Sequence, residues 1–139
     1  MPWVAGLHGH GQHRLMNLSK STILTYRLLL TAALIVISFL ATTSSSVPVV
    51  EDINDKVEHG IAFYALALLA DFSFPGTDFG RAKALSLIAY GLAIETIQYF
   101  LPYRTFSLFD LGADAAGLFA YGISIPALRQ LPLFKERWK

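Results

Sequence analysis

The sequence predicts an all-α protein, a four-helix transmembrane bundle with its N- and C-termini on the cytoplasmic side. Three observations carry that prediction. The 139 residues are 54% hydrophobic and 15% charged, with a mean hydropathy of +0.49; this is one domain's length, and greasier than a chain that folds in water. Four mostly apolar stretches approach the roughly 20 residues needed to cross a hydrocarbon layer of ~30 Å. If each crosses once, Arg14, Lys20, Arg27, Arg81, Lys83, Arg129, Lys135, Arg137 and Lys139 share one side, and of the 11 basic residues only Lys56 and Arg104 face the other. Basic residues collect on the cytoplasmic side of short loops, which fixes the orientation.

The first span is predicted at 28–43, extended backward through Ile23 and Arg27. Basic residues, then LLLTAALIVISFLA, then TTSSS also fit a secretory signal. The apolar run is at the upper length limit for a signal, and the later spans need a partner helix, so a retained span is the expectation. Pro48 and the serines of SSSVPVVEDIND, 44–55, stop this helix in an extracytoplasmic loop. The second span, 60–74, follows Asp55 and Glu58, which are spaced like a capping box. PGTDFG at 75–80 is a cytoplasmic turn, and the third span runs over 84–101. The fourth is 108–128, and Ser107 with Asp110 resembles a second capping box. The chain therefore divides into a tail at 1–22, the membrane domain at 23–129 and a tail at 130–139.

Several classes of function drop out. Without cysteine there is neither a disulfide framework nor a thiol nucleophile. A net charge of +1, with its basic residues explained by topology, offers nothing for nucleic acid. His8, His10 and His13 in the Gly-rich N-terminal stretch read as a solvated tail, and Met16 is an alternative start. No repeats, phosphate loop, established metal-ligand spacing or nucleophile with an adjacent base appears, so no cofactor is expected. Asp71, near the inner end of the second span, reads as solvated.

The ionisable residues inside the spans are the informative ones. Glu95 lies about 9 Å below the outer end of the third span, Asp114 about 10 Å below the start of the fourth, and His59 about 6 Å into the second, at ~1.5 Å per residue. Charge at the centre of a spanning helix costs ~2.5–3.5 kcal/mol, so such residues turn inward and find partners. Asp55 and His59 are i, i+4; Gly91, Glu95 and Gln98 form one helical stripe, and Asp110, Asp114 and Gly117 another. Lys56, His59 and Arg104 are the available partners for the acids. Gly112 with Ala116, and Ala113 with Gly117, allow close helix approach.

These residues also carry a resemblance. DKVEHGIAFYALALL followed by GLAIETIQYFLPYRTFSLFDLGADAAGLFAYG resembles the VanZ-like family of small bacterial membrane proteins. Asp55, Lys56, His59, Glu95, Gln98, Arg104, Ser107, Asp110 and Gly117 match its motif in order, and Asp114 stands where many members have Asn. The match covers residues 55–122. It implies the bacterial cytoplasmic membrane and an association with resistance to teicoplanin, a glycopeptide acting on envelope precursors; it supplies no reaction.

Two functions follow. In the first, Asp55, Lys56, His59, Glu95, Gln98, Arg104, Asp110 and Asp114 form an outward-facing binding site for a membrane lipid head group, a lipid-linked cell-wall precursor, a glycopeptide-related ligand or a partner protein. Lys56 and Arg104 would hold phosphate there. In the second, the carboxylates and His59 do acid–base chemistry on such a precursor, or hold a divalent metal for it. The first is the expectation, against a bland reading in which caps, interface anchors and an aromatic belt of Tyr90, Tyr99 and Tyr103 make the cluster a structural brace.

Overall fold

A computed structural model describes residues 18–44 and 52–138. The tail histidines, Arg14, Met16, most of the 44–52 segment and Lys139 lie outside the described residues. Among the described residues the protein is all-helical, without strands: α1 (Lys20–Thr42), α2 (Asp52–Ser73), α3 (Arg81–Tyr99), α4 (Leu108–Leu128) and a final 3₁₀ turn, Lys135–Trp138. Two of the helices, α1 and α4, are long and apolar enough to cross a membrane.

α1 and α4 each start where a serine side chain takes one of the first amides. Ser19 Oγ accepts the Thr22 N–H at 3.1 Å, and Ser107 Oγ accepts the Asp110 N–H at 3.3 Å, as helix-capping serines do. α4 matches its expected bounds end to end. α2 begins at Asp52, one turn earlier than a cap at Asp55 requires, so Asp55 lies within the helix and the expected capping box there is absent. Residues 52–55, expected in the loop, form the first turn of α2.

The helices alternate in direction. His59 meets Asp114 and Tyr64 meets Ser124, so α2 and α4 run parallel. Tyr90 meets Ser38 and Gln98 meets Ala41, so α1 and α3 run parallel. Arg27 of α1 meets Ser73 at the far end of α2, so the two pairs are antiparallel. α2 and α4 form the closest pair. Their contact depends on glycine: a Cβ at Gly117 would collide with the Gly60 backbone, whereas Gly112 faces open space and takes no part in the packing expected of it. The core, Phe63, Leu66, Ala67, Ala70, Leu87, Leu118 and Tyr121, fills the space among α2, α3 and α4. α1 has no buried residue and packs at the side.

One end of the bundle is knit around a carboxylate. Asp71 is fully buried; its Oδ1 accepts from Lys83 Nζ at 2.7 Å and Arg137 Nη2 at 2.8 Å, and its Oδ2 from the Tyr121 hydroxyl at 2.8 Å. This corrects the expectation that Asp71 is solvated. Lys83 also donates to the carbonyls of Phe74 and Thr77, and Arg137 to that of Thr77, tying the 75–80 turn to both helices. The segment after α4 thus folds back, with Phe134 and Trp138 edge-on to Phe72. A groove of about 750 Å³ between α1, α2 and α3 opens at this end, but Arg27 and Lys83 on its rim are already engaged by backbone and Asp71.

Candidate functional site

The opposite end holds the acids. The stripes expected on α3 and α4 are formed: Gly91, Glu95 and Gln98 are buried, as are Asp110, Asp114 and Gly117. Gly91 makes room for the site, since a Cβ there would lie 2.6 Å from Asp114 Oδ2 and 3.0 Å from the Phe63 ring. Asp114 is 1% exposed, and its Oδ1 bonds His59 Nδ1 at 2.8 Å across the α2–α4 contact. With an ionised Asp114 as acceptor, Nδ1 is the donor, and Nε2 lies 3.9 Å from Asp110 Oδ2. Lys56 Nζ lies 3.6 Å from Asp110 Oδ1.

Glu95 does something other than what was expected. It is 1% exposed, and Oε2 accepts the backbone N–H of Ser107 at 2.8 Å. In a capping box that N–H goes to the acid three residues into the same helix, here Asp110. Glu95 of α3 takes the place, which leaves the Asp110 carboxylate to face Lys56 and His59. The expected direct contacts of Glu95 with Lys56, His59 or Arg104 are therefore replaced by a backbone donor.

Arg104 and Gln98 leave the cluster altogether. Arg104 Nη2 donates to the carbonyls of Leu40 and Thr43 at 2.9 and 3.0 Å, Gln98 Nε2 to that of Ala41 at 3.0 Å, and Tyr103 Oη to that of Thr42 at 2.8 Å. The last carbonyls of a helix have no partners within it, and a cation suits the negative end of the helix dipole. These three residues cap α1. Tyr103 was missed as part of this clamp, having been read as belt.

What remains is a compact group: Asp55, Lys56 and His59 on α2, Glu95 on α3, Asp110 and Asp114 on α4. Ligand atoms of Asp55, His59 and Asp110 lie within 4.8 Å of one another. Two buried acceptors, Glu95 Oε1 and Asp110 Oδ1, have no hydrogen-bond partner among the described residues. Among the nearby aromatic residues, Phe63 is buried, while Phe106 and Phe109 are exposed. Lys56 and His59 side chains retain 29% and 22% of their exposure, so the cluster opens on the α2 side.

Among the described residues the protein is all-helical, with a buried acid–histidine cluster at one end. The chain is similar to an uncharacterized protein of Schizosaccharomyces pombe, 38% identical over 90 residues, 60% of this chain and 52% of the relative. It thus spans about half the length of that relative. No protein-family model matches the chain, and no solved structure does.

Proposed function

We propose that the chain is a multi-pass membrane protein, all four helices spanning, with both ends cytoplasmic and the acid–histidine cluster open toward the outer leaflet, where it binds a polar head group. The two buried carboxylate oxygens without a hydrogen-bond partner among the described residues, Glu95 Oε1 and Asp110 Oδ1, carry this reading. Leaving such acceptors unmade is costly, and a hydroxyl, amine or amide from a ligand would supply the missing donors. The rest of the molecule agrees: Leu28, Ile35, Phe39, Phe119 and Ile123 are exposed on helix surfaces far more apolar than a water-facing monomer tolerates.

The resemblance to VanZ-like proteins suggests a bacterial cytoplasmic membrane and a lipid-linked cell-wall precursor or glycopeptide-related ligand. With Arg104 committed to α1, the cation at the edge of the cluster is Lys56, itself 3.6 Å from Asp110 Oδ1. A second reading draws on the His59–Asp114 pair, since a hydrogen-bonded carboxylate orients an imidazole for acid–base work; in it the protein acts on the lipid-linked ligand it binds. Native mass spectrometry of the purified protein tests the proposal. A co-retained lipid that is lost in a folded Glu95→Gln variant supports it, and a wild-type protein carrying no lipid specifically would sink it.

A further inference from the structure

We infer that the cluster is a binding site for one divalent transition-metal ion, of the Zn²⁺ or Mn²⁺ kind, held by Asp55, His59 and Asp110. The inference deepens the head-group reading and rests on the same cluster. Its first support is the donor set. One imidazole nitrogen and two carboxylate oxygens converge within 4.8 Å from two helices, and Asp55 and His59 are one turn apart on the same face. An ion bonds such donors at about 2.0–2.2 Å, so the three side chains would close around it from this spacing. Mixed imidazole and carboxylate donors suit borderline transition ions better than magnesium or calcium, which favour oxygen alone.

The second support is independent of the acids being clustered. Metal-binding histidines almost always give their other ring N–H to a carboxylate or carbonyl, which fixes the tautomer. Here Asp114, 1% exposed, bonds Nδ1 at 2.8 Å, which places Nε2 on the side of Asp110. The third is the orphaned Asp110 Oδ1, in a residue 8% exposed, whose nearest cation is Lys56 at 3.6 Å. Glu95, by capping Ser107, removes the competing use of the Asp110 carboxylate. A backbone-capping role alone would account for Asp110 only had it received that N–H.

The test is calorimetric titration of the chelator-stripped wild-type protein in detergent micelles, without added lipid, with Zn²⁺, Mn²⁺, Mg²⁺ and Ca²⁺ in turn. The expected result is one transition ion per chain and a rise in melting temperature with it. Asp110→Asn and Asp55→Asn should each weaken binding by at least about tenfold, and Asp114→Asn by about 10–100-fold through the imidazole it orients; Gly112→Ala, which faces open space, should not change it. Variants are compared only where circular dichroism shows the parent's helicity, and Asp55→Asn, nearest the end of α2, keeps the test available if a buried substitution unfolds the chain. Absence of saturable binding by wild type up to millimolar ion, preference for Mg²⁺ or Ca²⁺, or wild-type affinity in both folded aspartate variants would overturn the site. Because lipid is absent, that failure would leave the head-group reading standing, and loss of lipid retention in the mass-spectrometric test would leave the ion standing.

Discussion

Glu95 accepts the backbone N–H of Ser107 at 2.8 Å, so a carboxylate on α3 caps the first turn of α4. This gives the two obvious substitutions different meanings. Glu95→Gln keeps an oxygen to accept the amide and removes the charge. Glu95→Ala leaves a buried N–H without a partner, at a cost of about 1–3 kcal/mol. Thermal unfolding in detergent should therefore show a clear loss for Ala and a small one for Gln. Equal losses would mean that Glu95 braces the bundle through its charge and not through the cap.

The α2–α4 contact makes a second prediction. At Gly117 a methyl group runs into the Gly60 backbone, which cannot rotate away as a side chain can. Gly117→Ala must separate the helices and should cost about 1–3 kcal/mol or more, as overpacking does, also moving His59 from Asp114. Gly112→Ala, on open helix surface, should be neutral or stabilise by up to about 1 kcal/mol from helix propensity. Melting temperatures of the pair decide it; a well-tolerated Gly117→Ala would refute the close approach.

Arg137 fastens the C-terminal segment to Asp71 through Nε to the carbonyl and Nη2 to the carboxylate. Breaking a buried ion pair from one side costs about 3–5 kcal/mol when the remaining charge is abandoned. Lys83 stays at 2.7 Å in this case, so Arg137→Ala should cost about 3 kcal/mol or less while releasing residues 130–138 to carboxypeptidase. Tyr121→Phe removes one hydrogen bond to the same carboxylate and should cost about 1 kcal/mol without releasing the segment. Protection of the segment in Arg137→Ala would show that Phe134 and Trp138 hold it unaided.

The contrast between Asp71 and Glu95 shows what was legible in the sequence. Helix number, the bounds of α4 and the buried stripes on α3 and α4 follow from periodicity and the Ser107 cap, which are local. The stripes also marked Glu95 and Asp114 as buried. Partners were harder, because Glu95 bonds a backbone amide, which every residue carries and no pattern singles out. Arg104 and Gln98 could be placed near the cluster by sequence, yet the carbonyls of α1 compete for the same donors. Asp71 was misread although the argument applied to Glu95, a lone acid in an apolar run, applies to it equally; its cations lie 12 and 66 residues away, and only folding brings them together.

The number of membrane crossings yields the most discriminating prediction. α1 and α4 meet the length and hydropathy of a span by themselves, while α2 and α3 carry the polar residues of both ends. Were only α1 and α4 to cross, the 44–52 segment and the 75–80 turn would lie on one side of the membrane; with four crossings they lie on opposite sides. The chain has no cysteine, so single substitutions Ser46→Cys and Asp78→Cys, the latter at an exposed position of the turn, can be labelled in sealed vesicles with an impermeant thiol reagent. In right-side-out vesicles Ser46→Cys should label and Asp78→Cys should label only after permeabilisation, because the Lys83 and Arg137 that hold the turn belong to the basic end, which the proposed topology puts in the cytoplasm. Labelling of both from outside would limit the spans to α1 and α4 and put Glu95 and His59 in water. The outer-leaflet binding site proposed above could not survive that result.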